Sequence, residues 1–378
     1  MSNTQKALVT FTPAEPYFFG GETTHGSPGE GAAYYARSNP YPQQTTLCGA
    51  LRNALRLTGY DFGLSSFDPD DEKLNAFGQL LSLSPMFLER KQKEEKTYYL
   101  KQALDRHNNG APFTLTEPGG KWLYFDGDTQ QDAPDKDPVP AWKSALWSGY
   151  DPKNDLCDAW VSAAAAASPV DTDDIFSIFN RPGIPKSELH NPSPDGPGLF
   201  KQDLMRLEAG WSFALLAEFG PEVDLPRLNG MSLQLGGENS IFRLGVEKTD
   251  RRFNDFFPKD QLFYSDRVGG NPRLVLVSDA FLPDEAWNEV ETAVTATADF
   301  RHIQTHSSLT RVGNLHNRKP GDKGFGNYSA KLAKSAKYTL LQRGSVLVAK
   351  NADLTTLCGY LDRQPWTIIG FNQYFIYP

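Results

Sequence analysis

The order of strand-like and helical patterns along the 378 residues constrains the fold more than any other feature of this sequence. Lys6–Pro13 alternates apolar and polar residues, which indicates a half-buried strand. A helical pattern follows at Gln44–Gly59, and strand patterns come next at Met86–Arg90, Thr97–Leu100 and Lys121–Phe125. One helix among several short strands is typical of an α+β unit.

The second half of the chain follows a similar order, and we therefore expect two α+β units in one chain. Its helix is expected at Asp284–Thr295, where Asp284 is a favourable N-cap residue. Its expected strands are a pair within Leu199–Phe219 on either side of Ala209-Gly210, a strand in Phe242–Val246, a strand in Asn271–Asp279, a hairpin of Lys337–Leu341 and Ser345–Ala349, and a closing strand in Thr367–Tyr377.

Charge is divided unevenly along the chain. Residues 126–174 contain eleven aspartates and three lysines, a net charge of −8 that equals the net charge of the whole chain. Residues 301–350 contain ten lysines or arginines and a single acid, Asp322, a net charge of +9. Because local charge decides which surface attracts phosphate, the acidic total does not exclude a nucleic-acid partner. The proline-rich stretch 126–198 looks irregular apart from a helical pattern near Leu156–Ala167, and we interpret it as an acidic insertion or interaction arm.

Composition and cysteine placement disfavour several classes of protein. With 39% hydrophobic and 22% charged residues, the chain is expected to be globular. Its sequence has no run near 18 apolar residues and no signal-peptide pattern, so no membrane span or secretion is expected. Cys48, Cys157 and Cys358 are too far apart for a disulfide framework or a cysteine zinc site. We expect a cytoplasmic protein without a metal or cofactor.

The first predicted helix carries a candidate phosphate-binding face. Thr45 or Thr46 is expected to cap its N-terminus, and Gly59 suits the left-handed position after its last turn. Arg52 and Arg56 lie one turn apart on its polar face and can neutralise two successive phosphates, unless they are ordinary surface arginines. The residues expected on its buried face are Leu47, Ala50, Leu51, Ala54, Leu55 and Thr58.

Three glycine motifs can bring the backbone close to a ligand. The glycine pair in Phe18–Glu22 precedes Arg37. The pair in Leu235–Ser240 can expose backbone N–H groups as an anion nest, or form a tight turn between strands. Arg318–Tyr328 can hold a backbone phosphate while a base stacks on an aromatic ring, or it can be a mobile charged loop. The candidate residues of these last two motifs are Gly236, Gly237, Arg318, Lys319, Lys323, Gly324, Phe325 and Gly326.

Histidines are the main candidates for catalysis. His302 and His306 have helical metal-ligand spacing, but no glutamate accompanies them. A ribonuclease that uses two histidines as acid and base is chemically feasible. No matched nucleophile, orienting group or oxyanion donor is evident, however. We therefore interpret His302, His306 and His316 as structural or RNA-contacting residues, and we predict that the protein is not an enzyme.

Several short segments, in this order along the chain, carry a resemblance to a known family. They are Phe18–Glu22, Thr45–Arg56 with its Leu-Cys-Gly-Ala-Leu-Arg core, Arg181–Ile184 leading to Gly198–Phe200, and Leu235–Glu238. The sequence resembles the family of the third subunit of the Cmr complex, a Cas-five-like branch of the RAMP superfamily found in type III-B CRISPR effectors.

The resemblance implies a fold and a role. The fold would be two ferredoxin-like (RRM-like) units, at residues 1–125 and within 199–378, with the irregular acidic insertion at 126–198 between them. The protein would bind the repeat-derived 5′ handle of the CRISPR RNA and bridge the large cyclase subunit to the first backbone RAMP subunit. It would meet target RNA only indirectly and would not cut RNA. The implied RNA contacts are Arg37, Gly49, Arg52, Arg56, Arg181, Gly236 and Gly237, with Gly324 and Gly326 in the glycine-rich loop of the superfamily.

Two alternatives remain open at this point. The first is an RNA-processing nuclease of the same superfamily that uses His302, His306 or His316. The second is a scaffold that binds only proteins and docks a basic partner on its acidic arm.

Overall fold

The structure is a computed structural model. It describes residues 4–24, 35–63, 77–110, 114–115, 147–148, 157–163, 168–183, 200–262, 272–300, 303–304, 333–334, 338–350 and 354–377. Within these residues, no helix has the length and apolar character needed to cross a membrane. The strand predicted at Lys121–Phe125 lies outside them.

The described elements are many short strands and few helices, which confirms the α+β class. The helices are α1 (Gln44–Thr58), α2 (Leu225–Leu228), α3 (Phe253–Phe256), α4 (Lys259–Leu262) and α5 (Thr355–Asp362). The strands are β1 (Gln5–Pro13), β2 (Phe19–Thr24), β3 (Tyr35–Asn39), β4 (Leu80–Leu83), β5 (Phe87–Gln92), β6 (Glu95–Lys101), β7 (Thr114–Leu115), β8 (Trp147–Ser148), β9 (Ala159–Ser162), β10 (Val170–Asp171), β11 (Phe176–Gly183), β12 (Phe200–Leu207), β13 (Trp211–Phe219), β14 (Ser232–Gln234), β15 (Ile241–Lys248), β16 (Arg273–Leu276), β17 (Val290–Val294), β18 (Thr297–Phe300), β19 (Ile303–Gln304), β20 (Ala333–Lys334), β21 (Tyr338–Leu341), β22 (Val346–Ala349) and β23 (Tyr374–Tyr377).

A nine-stranded sheet forms the centre of the molecule. Its strands follow the order β10-β9-β6-β5-β13-β1-β15-β14, and β4 also pairs with β13. The predicted opening strand is confirmed as β1, which pairs antiparallel with both β13 and β15. Val9 and Phe11 of β1 pack in the core that contains α1, whereas Leu8 packs in the core on the other side of the sheet. The alternation read from the sequence therefore reflects burial on both faces of the sheet.

The predicted helix is confirmed as α1, and its apolar stripe faces the central sheet. Gly59 ends it in the left-handed conformation, with φ of 83°, as predicted. The predicted threonine cap is wrong, because Gln43 is the N-cap residue and makes no side-chain capping bond. Gln44 fixes the start of the helix instead, donating to Ser84 O (2.6 Å) and accepting from Met86 N (3.2 Å).

A smaller sheet, in the order β17-β22-β16-β23, packs near the opposite face of the central sheet. Leu8 and Phe87 of the central sheet share one core with Val275 of this smaller sheet. A buried ion pair strengthens the junction, because Arg343 Nη2 lies 3.1 Å from Asp279 Oδ2. The same arginine lies over the ring of Tyr41, 4.8 Å from its centre, and thus connects the two halves of the chain.

A third sheet has the order β11-β12-β3-β2. Its pairings are antiparallel except for the parallel pair of β12 and β3. The two strands predicted on either side of Ala209-Gly210 are confirmed as β12 and β13, with Gly210 at φ of 86°. These strands belong to different sheets, so the turn connects the third sheet to the central one.

Three predicted elements differ from the structure. The helix predicted near Leu156–Ala167 is wrong, because Trp160 and Val161 of β9 are buried in opposite cores, which requires the alternation of a strand. The helix predicted at Asp284–Thr295 is a 3-10 turn over Asp284–Glu289 that continues as β17. Valines at both ends of β17 favour the strand.

The two strands predicted as a C-terminal hairpin form as β21 and β22, but they do not pair with each other. β21 pairs with β18, and β22 pairs with β16 and β17. The chain turns at Gly344, with φ of 88°. The predicted closing strand is limited to β23, because Pro365–Ile369 is a 3-10 turn that ends at left-handed Gly370.

The division into two ferredoxin-like units with an acidic insertion remains a prediction. Residues 116–146 and 184–199 lie outside the described residues. Within the predicted insertion, β9, β10 and β11 pair with other strands of the central and third sheets.

Candidate RNA interface

The polar face of α1 carries Gly49, Arg52, Asn53 and Arg56. Arg56 is exposed, and its Nη2 donates to Asn53 Oδ1 at 2.8 Å. This bond orients the guanidinium along the helix surface. The first turn of α1 contains no acidic residue that would repel a phosphate. This face therefore presents positive charge to solvent.

Arg52 has a different environment from Arg56, although both lie on the polar face. Its Nε donates to Phe62 O at 2.8 Å. The guanidinium carbon lies 5.6 Å from the ring centre of Phe77 and 6.0 Å from that of Phe62. Burial lowers the pKa of Arg52. Arg52 thus anchors the segment that follows the helix, and Arg56 is the more accessible of the two predicted phosphate contacts.

Gly49 is an exposed glycine near the middle of α1. A Cβ atom built on it meets no atom of the described residues within 4 Å, so packing against them does not require a glycine there. Glycine in a helix interior is destabilising by roughly 0.5–1 kcal/mol relative to alanine. A glycine without a packing reason, one turn from Arg52 and two turns from Arg56, suits the close approach of another molecule's backbone.

The third sheet carries a second set of exposed cations. Arg37 lies on β3, Arg181 on β11, and Lys201 and Arg206 on β12, and all four are exposed. Arg37 pairs in register with Asp203, and Arg181 with Gln202. The predicted contacts Arg37 and Arg181 therefore lie in one sheet on the strands that flank β12, but on opposite faces, because Asp203 and Gln202 are successive residues of β12.

Two apolar side chains are exposed on the edge strand β11 of this sheet. Ile178 is 48% exposed and Phe179 is 47% exposed. Since successive side chains of a strand point to opposite faces, both faces of the β11–β12 hairpin are accessible here. An exposed aromatic ring among cations can stack on a base while the cations contact phosphates.

A polar cluster supports the exposed cations on β3 and β12. The Tyr35 hydroxyl donates to the buried carboxylate of Asp203, and this bond raises the pKa of Tyr35. Lys201 Nζ lies 3.7 Å from Asp203 Oδ1 and 5.5 Å from the centre of the Tyr35 ring. Asp203 is thus engaged through Oδ2, whereas its buried Oδ1 accepts no hydrogen bond from the described residues, and Arg37 is exposed on the neighbouring strand.

The glycine pair at 236–237 lies against the first glycine motif rather than forming an open nest. Gly237 N donates to Phe18 O at 2.8 Å, so this amide is already used. Gly236 has φ of 81°, and a Cβ atom there would lie 2.5 Å from Phe18 O. The buried Ser240 hydroxyl accepts from Phe18 N at 3.2 Å. These glycines allow a close crossing of two backbones, and their contact with RNA remains a prediction.

The remaining predicted residues lie outside the described part of the chain. This applies to His302, His306 and His316 and to the glycine-rich loop residues Arg318, Lys319, Lys323, Gly324, Phe325 and Gly326. Among the described residues, no group of three or more His, Cys, Asp or Glu side chains could hold a metal ion.

Sequence reasoning did not identify Ile178, Phe179, Lys201 or Arg206 as site residues. The stretch Phe176–Gly183 was part of the segment predicted to be irregular. The sequence pattern that indicates this strand is the run Phe-Ser-Ile-Phe before Asn-Arg-Pro-Gly, in which β-favouring residues precede turn residues. That run is consistent with the strand, but only sheet pairing shows that the strand lies at an edge.

Comparisons with known proteins place these features in a wider context. The sequence matches the family described as CRISPR-associated protein (Cas_Cmr3) over residues 9–377. No curated protein matches it. A chain in the cryo-EM structure of the type III-B Cmr-beta bound to cognate target RNA has a TM-score of 0.51 at 14% identity, covering 98% of this chain and 96% of that chain.

Two further solved structures are similar at lower scores. The Cmr-beta complex with cognate target RNA and AMPPnP contains a chain with a TM-score of 0.49 and 14% identity, which covers 98% of this chain and 96% of that one. A chain of the Csm3-Csm4 subcomplex in the type III-A CRISPR-Cas interference complex has a TM-score of 0.35 and 11% identity, covering 90% and 92%. At these identities, the first structure supports a shared fold and nothing more specific.

Proposed function

The chain belongs to the Cas_Cmr3 family of CRISPR-associated proteins, and from this premise we propose that it is a non-catalytic subunit of a type III-B effector complex. In this role it binds the 5′ handle of the CRISPR RNA. It bridges the large cyclase subunit to the backbone RAMP subunit, and it meets target RNA only through the assembly. The observation that carries the RNA-binding part is the exposed positive charge of α1 and the third sheet around Gly49 and Phe179.

The two surfaces suit single-stranded RNA for complementary reasons. Arg56, two turns along α1 from Gly49 on the same face, offers a cation where another backbone can follow the helix surface. Arg181 and Arg206 offer cations on the face of the third sheet that carries Phe179, whose ring can stack on a base, and Arg37 offers a cation on the other face. Phosphate contacts supply affinity and register, and stacking tolerates any base. A handle with a fixed sequence would draw its specificity from further contacts to base edges.

Charge reversal on these surfaces tests the proposal. We expect Arg37→Glu, Arg56→Glu and Arg181→Glu each to weaken binding of a fluorescent handle RNA, measured by anisotropy. For single-stranded RNA, each lost phosphate contact should also reduce the salt dependence of log Kd by about 0.7. Lys93→Glu is the matched control, because Lys93 is exposed in the turn between β5 and β6, outside both surfaces. Wild-type affinity in all three folded variants would contradict the proposal.

A cleavage assay and a deletion test the two alternatives. Cleavage of repeat RNA that disappears in a His302→Ala, His306→Ala or His316→Ala variant would identify a nuclease. For the protein-only scaffold, residues 126–146 should be deleted rather than the whole acidic window, because β9 and β10 belong to the central sheet. If the deletion variant fails to assemble and the intact protein binds no RNA, the scaffold alternative is favoured.

A further inference from the structure

The described residues cover one face of the central sheet only in part. At one end, Leu8, Phe87 and Ala214 pack against Phe256 and Phe257. Farther along the same strands, hydroxyl and charged side chains replace the apolar ones and line a groove of about 520 Å³. The lining residues that matter for its chemistry are Thr10, Thr12, Glu89, Lys91, Lys96, Ser212, Gly245 and Glu247.

Glu89 is the buried charged group of this groove. It is only 6% exposed, and its Oε2 accepts no hydrogen bond from the part of the chain that the structure describes. Lys96 Nζ lies 3.8 Å from Glu89 Oε2, beyond hydrogen-bonding distance, and donates instead to Glu247. Burial raises the pKa of Glu89. A buried carboxylate oxygen without a hydrogen-bond donor raises the free energy of the folded protein, and a ligand that supplies the donor recovers this free energy on binding.

The rest of the groove disfavours a nucleotide. Trp211, the aromatic residue among the lining residues, packs its ring against Tyr99, 4.9 Å away between centroids, in the core on the other side of the sheet. It is therefore unavailable for base stacking. Glu89 and Glu247 balance the charges of Lys91 and Lys96, so the groove offers a phosphate no net positive charge. The Glu89 oxygen that accepts no hydrogen bond from the described residues requires instead a hydrogen-bond donor, either cationic or neutral.

The polar floor and the two carboxylates favour a donor with several N–H groups. The hydroxyls of Thr12 and Ser212 bond each other at 2.7 Å across neighbouring strands. At Gly245 a side chain would collide with Thr10, because a Cβ atom would lie 2.3 Å from its Oγ1. The floor is therefore polar, and it carries no side chain at Gly245. A planar guanidinium has several N–H donors in a fixed fork and can address two carboxylates at once, which a compact ammonium does less well.

We propose that this groove binds an arginine side chain of a partner protein, whose guanidinium donates to Glu89 Oε2 and Glu247. The partner is a neighbouring protein subunit, so this inference rests on the function proposed above. Lys91 is exposed at the rim and can donate to a main-chain carbonyl of the same partner segment. RNA contacts would then lie on α1 and the third sheet, and a protein contact on the open face of the central sheet.

Photocrosslinking in the assembled complex tests which molecule occupies the groove. A benzoylphenylalanine residue in place of Lys91, followed by irradiation and mass spectrometry, should crosslink to a peptide of another subunit that contains an arginine within a few residues. Adding Glu89→Arg should abolish this crosslink by repulsion. A crosslink to RNA, a crosslink to a peptide without a nearby arginine, or no crosslink in the assembled complex would overturn the proposal.

A binding measurement gives the energetic test. In Glu89→Gln, the Kd of the subunit for the remaining protein subunits should rise about tenfold or more, the range expected for a lost hydrogen bond to a charged group. Glu222→Gln, which changes an exposed carboxylate in a loop, should leave this Kd unchanged. An unchanged Kd in Glu89→Gln would overturn the proposal.

Handle-RNA binding separates failure of this inference from failure of the proposed function. Glu89→Gln should bind handle RNA with wild-type affinity, because Glu89 lies outside both RNA surfaces. If the wild-type protein binds handle RNA but Glu89→Gln leaves subunit affinity unchanged, only the arginine site is refuted. If the wild-type protein neither binds handle RNA nor joins the complex, the proposed function itself is refuted.

Discussion

Replacing Gly49 by alanine separates the helical stability of α1 from its proposed RNA contact. Gly49 lies within the helix and is exposed, and a Cβ atom there meets none of the described residues within 4 Å. The added methyl group therefore causes no clash, and it removes the entropic cost of glycine in a helix. We expect the free energy of unfolding to rise by roughly 0.5–1 kcal/mol, measured by urea denaturation.

The same substitution should weaken RNA binding if a phosphate backbone approaches the helix at this position. A methyl group in that space forces the RNA backbone away from the helix at this position and weakens its contacts with the polar face of α1. A loss of about 1 kcal/mol corresponds to a roughly fivefold increase in the Kd for handle RNA. A variant that is more stable and binds less tightly cannot be explained by damage to the fold.

Gly359 provides a matched control on α5. It also lies within a helix, and a Cβ atom built on it meets nothing within 4 Å. Gly359→Ala should give a similar gain in stability without any change in RNA affinity. Wild-type RNA affinity in Gly49→Ala would refute an RNA contact at this position. A loss of stability in Gly49→Ala would refute the packing argument as well.

Three further predictions concern the fold and its charges. Gly236→Ala should lower the free energy of unfolding by about 1–3 kcal/mol in urea denaturation, because the residue has a positive φ and faces Phe18 O; an unchanged midpoint would contradict the close crossing. Asp279→Asn should lower the free energy of unfolding by about 3–5 kcal/mol, because the substitution leaves Arg343 buried without the Asp279 carboxylate. A loss of less than about 1 kcal/mol would contradict the role of this ion pair. The pKa of Glu89 is raised in the folded protein, so its ionisation lowers the stability as the pH rises from the unfolded pKa through the folded pKa. Glu89→Gln should therefore be the more stable protein at pH 7 in thermal denaturation, and the difference in stability should shrink below about pH 4. A difference in stability that does not depend on pH would contradict the raised pKa.

The elements that were predicted correctly are those whose signal is local. The spacing of leucines and the terminal Gly59 determine α1 within fifteen residues, independently of distant partners. Likewise, β1 alternates and Gly210 marks the turn between β12 and β13. In these places, side-chain periodicity and glycine chemistry agree with the final packing.

The elements that were missed depend on distant partners. The run of alanines after Trp160 favours a helix locally, yet β9 is buried between β6 and β10. The C-terminal strands β21 and β22 are close in sequence but pair with different strands, which no local pattern reveals. Arg52 and Arg56 are equivalent on a helical wheel, and only the folded structure distinguishes them, because Phe62 and Phe77 follow the helix and surround Arg52.

The turn at Gly210 explains how one chain can hold an RNA surface and a protein surface at a fixed separation. β12 carries Lys201 and Arg206 in the third sheet, and beyond Gly210 the chain continues as β13, where Ser212 lines the groove. A Cβ atom on Gly210 would lie 2.8 Å from Lys91 O, so the turn is packed closely against the rim of that groove. The two proposed surfaces are therefore joined by a tight turn and continuous ladders rather than by a flexible linker. They share no side chain, so charge changes at Arg56 and Glu89 should have additive effects on assembly.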